Sequence, residues 1–229
     1  MCLRSQGRRV VWCWGRCVLL RVFEYGATEL THLSQDTQLA KVIAHVGQVE
    51  RMVNDDVFTA LLRMIIGQQI SAKAERTIWQ RLQELTDDLS PQFIAQSDPD
   101  TLQAIGISYR KVSYLQGVAQ AVLSGEINLN ALSTLDDEAV CRQLIRLKGV
   151  GLWTAQMFLI FSLGRKDVLS FGDLAILRGL RMLYGHDVIT PELFVDYQKR
   201  FSPYGTVASF YLWEVASGHV PNLSDPAKS

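Results

Sequence analysis

A glycine-rich segment in the middle of the chain is the first place where residue types and spacing could do chemistry. We call Leu147-Lys148-Gly149-Val150-Gly151-Leu152-Trp153-Thr154-Ala155 the hairpin, because its two glycines separate two helix-like stretches. Gly149 can adopt the positive φ that ends a helix, and Gly151 leaves room for a close approach of the backbone. The amides that open the next helix lack intrahelical partners and carry the positive end of its dipole, which attracts anions. The hairpin therefore predicts contact with a nucleic-acid phosphate, although a tight turn that binds nothing fits equally well.

An aspartate beyond the hairpin is the second candidate. Ser170-Phe171-Gly172-Asp173 is typical of a capping box, in which Asp173 would bond back to the amide of Ser170. The same carboxylate could instead do chemistry, as a general base or as a fixed negative charge that stabilises a developing cation. The pattern by itself favours the cap, so the catalytic interpretation depends on the context.

The elements around both features have the apolar periodicity of α-helices. Residues 136–146 lead into the hairpin and residues 152–163 lead out of it, and Thr134 to Asp137 predicts a capping box for the first of these helices. Further helices are predicted at Thr37–Val46, Asp55–Ile66, Ser71–Leu85, Lys111–Leu123, Leu174–Leu183, Pro191–Arg200 and Tyr204–Ala216, with short ones beginning at Pro91 and Pro99. No run of residues alternates as in a strand. The predicted fold class is all-α.

The composition indicates a globular protein with little overall attraction for DNA. The 229 residues are 48% apolar and 20% charged, which is typical of a folded chain with a sizeable core. The formal net charge is zero, and residues 1–21 hold five arginines and no acid, which leaves 18 basic against 23 acidic residues elsewhere. Any DNA contact must therefore rest on backbone amides and a local patch. Candidates for that patch are Arg142, Arg146, Lys148, Arg165 and Lys166.

The first residues differ from the rest of the chain. Residues 1–21 resemble a signal peptide in outline, but Arg16 interrupts the apolar stretch and no small-residue cleavage site follows. We expect residues 1–21 to be a non-native or disordered extension that arises from a mis-set start codon, residues 22–220 to be the functional domain, and residues 221–229 to be a tail. The four cysteines have neither zinc nor iron–sulfur spacing, so reduced thiols are expected at Cys2, Cys13, Cys17 and Cys141.

The hairpin and Asp173 together resemble the signature of the helix-hairpin-helix DNA glycosylases. In that family a glycine-rich hairpin holds the backbone of damaged DNA, and a catalytic aspartate follows at a spacing that Asp173 matches. The resemblance extends over residues 23–220 and implies an all-α fold of two helical lobes with a central cleft. It favours the catalytic interpretation of Asp173 over the cap.

Trp153 bears on the type of reaction that the resemblance implies. Family members that also cut the strand use a lysine in the second hairpin helix to form a Schiff base with the sugar, and Trp153 occupies that position here. A monofunctional enzyme that uses water is therefore implied. The pattern looks closest to the alkylated-base branch, DNA-3-methyladenine glycosylase II.

The resemblance to this branch also implies a base pocket. Trp153 and Trp213 would stack on an alkylated purine, whose positive charge strengthens its attraction to aromatic rings. Without the motif context, two core tryptophans would be the simpler interpretation. Met157 and Leu174 would complete the pocket where some relatives have aromatic residues, which implies a less aromatic pocket and a different substrate range.

A loop before the second long helix supplies further contacts by the same resemblance. Gln69 matches a residue that wedges into the duplex and fills the gap left by the flipped nucleotide, with Ile70 as the alternative. The simple interpretation of this loop, a helix end followed by a serine cap, is compatible with that role. The residues expected to bind DNA are Gln68, Gln69, Ile70, Lys148, Gly149, Val150, Gly151 and Thr154.

These features together predict a glycosylase of base excision repair that releases 3-methyladenine and 7-methylguanine from damaged double-stranded DNA and leaves an abasic site. We expect a monomer without metal, cofactor, membrane or protein partner, which acts in the cytoplasm on the nucleoid. A structural monovalent cation held by hairpin carbonyls is compatible with the resemblance. The alternatives are a glycosylase of this fold with another lesion preference and a non-catalytic helix-hairpin-helix DNA-binding module. Retention of Asp173 and Trp213 argues against the module, because backbone binding needs neither.

Overall fold

Helices make up most of the chain in the computed structural model, which describes residues 8–13 and 16–228, with side chains for residues 20–227. The elements are, in order, β1 Arg8–Cys13, β2 Arg16–Val22, α1 Ala27–Leu33, α2 Thr37–Val46, β3 Met52–Asn54, α3 Val57–Gly67, α4 Ala72–Glu84, α5 Pro91–Gln96, α6 Pro99–Ala104, α7 Tyr109–Leu123, α8 Asp137–Leu144, α9 Leu152–Phe161, α10 Leu174–Tyr184, α11 Pro191–Phe201 and α12 Gly205–Ala216, with short 3-10 helices at Leu129–Thr134 and Pro226–Lys228. Apart from one small sheet, the predicted all-α class is confirmed. None of the described helices is both long and apolar enough to cross a membrane.

The small sheet was not predicted. Its strands follow the order β1-β2-β3, and beside them Phe23 N donates to Arg51 O over 2.8 Å. The prediction that no strand occurs is therefore wrong. β3 has three residues, too few to show alternation, and the other two strands lie almost wholly within the predicted extension. Residues 1–7, 14 and 15 of that extension lie outside the described residues, and its separateness from the domain stays a prediction.

The first of two compact units contains Asn54–Leu163 and is organised around α3. Leu61, Leu62, Ile65 and Ile66 are at most 1% exposed, and α3 packs against α4, α7 and α9. Burial of each such side chain contributes about 1.5–3 kcal/mol. The position of the loop that follows α3 is therefore set by a well-packed helix.

The helix before the hairpin begins later than the sequence predicts. Asp136 is its N-cap, since Asp136 Oδ1 accepts from Ala139 N over 2.7 Å. The predicted capping box at Thr134 is wrong, because Thr134 ends a 3-10 turn in which its hydroxyl donates to Ala131 O over 2.8 Å. Aspartate also satisfies the N-cap at least as well as threonine does.

The second compact unit contains Arg21–Val53 and the chain from Gly164 onward, and its helices are α1, α2 and α10 to α12. Its closest packing joins α10 to α12. A Cβ at Gly179 would lie 2.4 Å from the carbonyl oxygen of Leu212, so no larger residue fits there. Phe210 and Tyr211 are fully buried on α12. This packing holds the first turn of α10, which follows Asp173.

The C-terminal stretch packs on α10. Asp225 is buried and accepts two hydrogen bonds from Arg181, Nε to Oδ1 over 2.9 Å and Nη2 to Oδ2 over 2.8 Å. Arg178 Nε lies 3.6 Å from the same carboxylate. A bidentate pair of this kind is among the stronger side-chain interactions. Part of the predicted tail is thus anchored to the helix that begins after Asp173.

Candidate active site

The hairpin has the geometry that its glycines predict. α8 ends at Leu144 and α9 begins at Leu152, so the chain reverses within a few residues. Gly149 has φ +89°, in the left-handed region that favours glycine, whereas Gly151 is the N-cap of α9 with an ordinary φ of −91°. Val150 N donates to Leu147 O over 3.0 Å and closes the turn. The amides that open α9 lack intrahelical partners, as an anion site requires.

The two glycines differ in their surroundings. A Cβ on Gly149 would lie 2.2 Å from the ring of Tyr114, which packs against the hairpin from α7. A Cβ on Gly151 would meet no protein atom within 4 Å. Gly149 is therefore required by the fold, while nothing in the protein itself requires Gly151. No sequence pattern pointed to Tyr114.

Gln68 connects the loop after α3 to the hairpin. Its Nε2 donates to Gly149 O over 2.9 Å and to Thr154 Oγ1 over 3.1 Å. Thr154, in the first turn of α9, is only 3% exposed. Both residues were predicted to bind DNA. In this structure their side chains join the loop after α3 to the hairpin and to the first turn of α9. Direct contact of Gln68 and Thr154 with DNA stays a prediction.

The loop that contains Gln69 is displayed and strained. Gln69 has φ +57°, a left-handed conformation that residues with a Cβ rarely adopt. It is exposed, as is the neighbouring Ile70 at 37%. Ser71 then caps α4 by accepting from Ala74 N over 3.2 Å, as predicted. Strained backbone conformations cluster at functional sites. A strained and exposed Gln69 is therefore consistent with a residue that inserts into a DNA duplex.

Asp173 is the N-cap of α10. Its Oδ1 accepts from Ala175 N over 2.9 Å and from Ile176 N over 3.0 Å. The predicted box, with Asp173 bonding back to Ser170, is wrong, because the helix begins at Leu174 rather than at Phe171. The bond between these two residues runs between backbones, from Asp173 N to Ser170 O over 3.3 Å. The carboxylate is held at the positive end of a helix dipole.

A tryptophan from α12 also contacts this carboxylate. Trp213 Nε1 donates to Asp173 Oδ1 over 3.3 Å, and the indole is half-buried. Asp173 itself is 7% exposed. Leu174, beside it, is 80% exposed, and Phe171, which the sequence did not single out, is exposed with its edge against Phe194. The structure therefore brings the predicted carboxylate together with Trp213, and Leu174 lies exposed next to it in the chain.

The remaining pocket residues lie on α9 in the first unit. Trp153 is 40% exposed, so it is not a core tryptophan. Met157, one turn further along, is buried, at 5% exposed. The indole of Trp153 is therefore accessible at the start of α9. The contact of Trp153 or Met157 with a base stays a prediction.

The basic patch is smaller than the sequence suggests. Arg142 pairs with Glu138, and Arg146 Nη2 lies 3.8 Å from Glu126 Oε1. In the second unit Lys166 Nζ donates to Glu29 over 2.7 Å. Lys148 of the hairpin is exposed. Three of the five predicted patch residues thus pair with acids, which leaves the backbone amides more of the attraction for phosphate.

The described residues do not favour a metal centre. Among them, no group of three or more histidine, cysteine, aspartate or glutamate side chains could hold a metal ion. Cys141 is a free thiol, and burial raises its pKa. The hairpin carbonyls of Leu147 and Gly149 already accept bonds from Val150 N and Gln68 Nε2. A carbonyl oxygen has two lone pairs, so these bonds do not prevent a cation from binding there.

Comparison with known proteins assigns the family. A hairpin between two helices, followed by an aspartate that caps a third, lies inside residues 62–199, which match the family model for HhH-GPD superfamily base excision DNA repair proteins. The matched class of protein is thus one that repairs DNA by base excision. The match spans more than half of the chain, and the chain belongs to the HhH-GPD superfamily.

Several relatives are named as 3-methyladenine DNA glycosylases or glycosidases. DNA-3-methyladenine glycosylase 1 of Schizosaccharomyces pombe is 30% identical over 184 residues, which is 78% of this chain and 81% of that protein. The solved S. pombe 3-methyladenine DNA glycosylase in complex with abasic DNA has a TM-score of 0.77 at 28% identity, covering 86% of this chain and 100% of that one. The DNA-3-methyladenine glycosidase of Bacillus halodurans has a TM-score of 0.76 at 34% identity, covering 87% and 94%.

Proposed function

We propose that this protein is a monofunctional DNA glycosylase that hydrolyses the N-glycosidic bond of alkylated purines in double-stranded DNA and leaves an abasic site. The observation that carries the proposal is the Asp173 carboxylate, on which two helix amides and the Trp213 indole converge. The family and the 3-methyladenine glycosylases among the relatives support the same reaction. The substrates proposed are 3-methyladenine and 7-methylguanine.

Asp173 would act on the sugar. Breaking the N-glycosidic bond builds positive charge on the sugar in an oxocarbenium-like transition state. A carboxylate that is already oriented stabilises this charge without reorganisation, and it can orient or deprotonate the attacking water. An alkylated purine carries positive charge, which weakens its bond to the sugar. The leaving base therefore needs no protonation by the enzyme.

Trp213 would recognise the base as well as orient Asp173. Its half-buried indole offers a face to a flipped base, and a cationic purine is attracted to such a face by about 0.5–2 kcal/mol. Leu174, displayed next to Asp173, adds an apolar contact of a kind that aliphatic side chains make with a base. Trp153 is a second exposed indole, in the first unit, that we propose for stacking.

The hairpin would hold the DNA backbone. The open space around Gly151 and the amides that begin α9 suit a phosphate, and Lys148 adds positive charge. Contacts of this kind position a duplex without reading its sequence. We propose that Gln69, displayed by its left-handed backbone, fills the gap left by the flipped nucleotide, with Ile70 beside it.

We further propose that the enzyme has no lyase activity, because Trp153 stands where a Schiff-base lysine would be. We propose that it acts as a monomer without a metal or organic cofactor. Its substrate would place it in the compartment that holds the chromosome. A monovalent cation at the hairpin carbonyls remains part of the proposal.

The direct test is single-turnover release of base from a duplex that contains one 7-methylguanine or one 3-methyladenine. Release that leaves an intact strand with an abasic site, and no trapping of a protein–DNA adduct by borohydride, supports the proposal. A trapped adduct would contradict the absence of lyase activity. No release of either base would contradict the proposed substrate.

A salt titration separates the enzyme from a general DNA clamp. Both patch arginines of the unit that carries the hairpin, Arg142 and Arg146, pair with acids, so we expect weak binding to undamaged duplex with a shallow salt dependence. A steep slope with undamaged DNA, together with no release of base, would favour a DNA-binding module instead.

A further inference from the structure

Lys111 forms hydrogen bonds to the end of α3 and to the loop that contains Gln69. This lysine lies in the first turn of α7, and its Nζ donates to Ile66 O over 2.7 Å and to Gln68 O over 2.7 Å. Ile66 is in the last turn of α3, and Gln68 is its C-cap. A cation that donates to the last carbonyls of a helix satisfies orphan acceptors and complements the negative end of the dipole. Lys111 is partly buried, and this burial lowers the pKa of its ammonium group.

Gln68 is fastened from two directions. Its carbonyl accepts from Lys111, while its side-chain amide donates to Gly149 O and Thr154 Oγ1. Through Gln68, the loop after α3 is thus linked both to α7 and to the hairpin. All of these contacts lie within the first compact unit.

The strain at Gln69 explains why such fastening matters. A residue with a Cβ is strained in the left-handed region, and this conformation persists only where its surroundings fix the backbone. Gln68, just before Gln69, accepts the bond from Lys111 and donates to the hairpin, and Ser71, two residues after Gln69, caps α4. If the bonds to Gln68 were lost, the loop could relax and Gln69 would no longer project from a fixed point.

We propose that Lys111 is a positioning residue for opening the duplex, which holds the Gln69 loop at a fixed distance from the phosphate-binding hairpin through Gln68. The proposal rests on the proposed glycosylase function and on the wedge role of Gln69. It assigns Lys111 no contact with the base or the sugar. Lys111 therefore affects the step that extrudes the nucleotide and leaves bond cleavage in an already extruded nucleotide unchanged.

This division of steps can be measured with two substrates. One duplex carries 7-methylguanine opposite cytosine, where the pair must be opened. The other carries 7-methylguanine opposite an abasic-site analogue, where opening costs little. Lys111→Met, which keeps the aliphatic stem, should slow single-turnover release from the first duplex about tenfold or more, because hydrogen bonds from a charged group are lost. Release from the second duplex should change by less than about threefold, since bond cleavage itself is untouched.

A matched control removes the same charge elsewhere. Lys73 is exposed at the start of α4, and Lys73→Met should leave both rates near those of wild type. Equal losses in the two lysine variants would show a general electrostatic effect and would overturn the proposal. Thermal unfolding of each variant checks that the unit is intact. Gln68→Met provides a second variant that keeps the Lys111 contacts but cuts the link to the hairpin, and it should show the same selective loss.

A double-mutant cycle gives the strictest test. If Lys111 acts through Gln69, the double variant Lys111→Met with Gln69→Ala should be no slower on paired 7-methylguanine than Gln69→Ala alone. Additive losses, or equal losses on both duplexes, would overturn the role of Lys111 while the wild-type activity stands. No release by wild type from either duplex would instead refute the glycosylase function on which this inference rests.

Discussion

Trp213 donates its indole N–H to the carboxylate of Asp173 over 3.3 Å, so the proposed base-stacking residue and the proposed catalytic residue are joined directly. They belong to different helices of one unit, since Asp173 caps α10 and Trp213 lies on α12. The close contact of these helices at Gly179 sets the separation of the two side chains. A base that stacks on the indole would thereby be placed with reference to the carboxylate that acts on its sugar.

The first prediction concerns this bond. Trp213→Phe keeps an aromatic face but removes the indole donor, so the carboxylate loses the hydrogen bond from α12 while the two helix amides still donate to it. We expect single-turnover release of 7-methylguanine to slow about tenfold, the size of effect that follows from losing one hydrogen bond to a charged group. Binding to DNA that contains an abasic site should stay nearly unchanged. Trp79→Phe, at a tryptophan that packs under Arg63, is the matched control. Equal effects of the two substitutions would contradict the role of the bond.

The second prediction uses the contrast between the two hairpin glycines. Gly149→Ala should destabilise the protein, because its Cβ would collide with Tyr114 and its φ is left-handed. Gly151→Ala should leave the unfolding temperature within about 2 °C of wild type, because its Cβ meets open space and its φ is ordinary. It should nevertheless weaken binding to abasic-site DNA if a phosphate approaches there. Normal binding by a folded Gly151→Ala protein would refute the phosphate site.

Patterns within short stretches of sequence predicted much of this site, whereas contacts between residues far apart in sequence could not be predicted. The positive φ of Gly149 follows from the need to end one helix and begin another, and Asp173 is a residue type that caps helices. The contacts with Tyr114 and Lys111 join residues far apart in sequence, and no periodicity or motif encodes them. Secondary structure was predictable for the same reason, because helix periodicity is local.

The errors have equally specific causes. Asp173 was placed inside a capping box because Ser170 offered an earlier cap, yet the helix begins only after Asp173. The three-residue strand β3 is too short to carry a pattern.

The third prediction concerns pH. Glu29 accepts from Lys166 Nζ over 2.7 Å and from Gly26 N over 2.9 Å, and these bonds lower the pKa of Glu29 to about 2. A depressed carboxyl pKa stabilises the folded state above the unfolded pKa of about 4.3, and this stabilisation is lost as the pH falls towards the folded value. Glu29→Gln should therefore lower the unfolding temperature at pH 7, and by less at pH 3.

The control for this experiment is Glu84→Gln, at an exposed glutamate that accepts a bond only from Gln80 among the contacts described for it. It should show little change at either pH, because exposed contacts of this kind contribute little to stability. A deficit of Glu29→Gln that is equal at pH 7 and pH 3 would contradict the charge-dependent role of Glu29.

The most direct test of the central claim is single-turnover release of 7-methylguanine by wild type and by Asp173→Asn. Asparagine is as good an N-cap as aspartate, so α10 should be preserved while the negative charge is removed. Asp196→Asn, at an exposed aspartate on α11, is the control for the substitution itself. We expect Asp173→Asn to fold normally and to lose about two orders of magnitude or more in rate, the typical effect of removing a preorganised charge-stabilising group. Release within about threefold of wild type by a folded Asp173→Asn protein would show that Asp173 is only a helix cap, and would contradict the account.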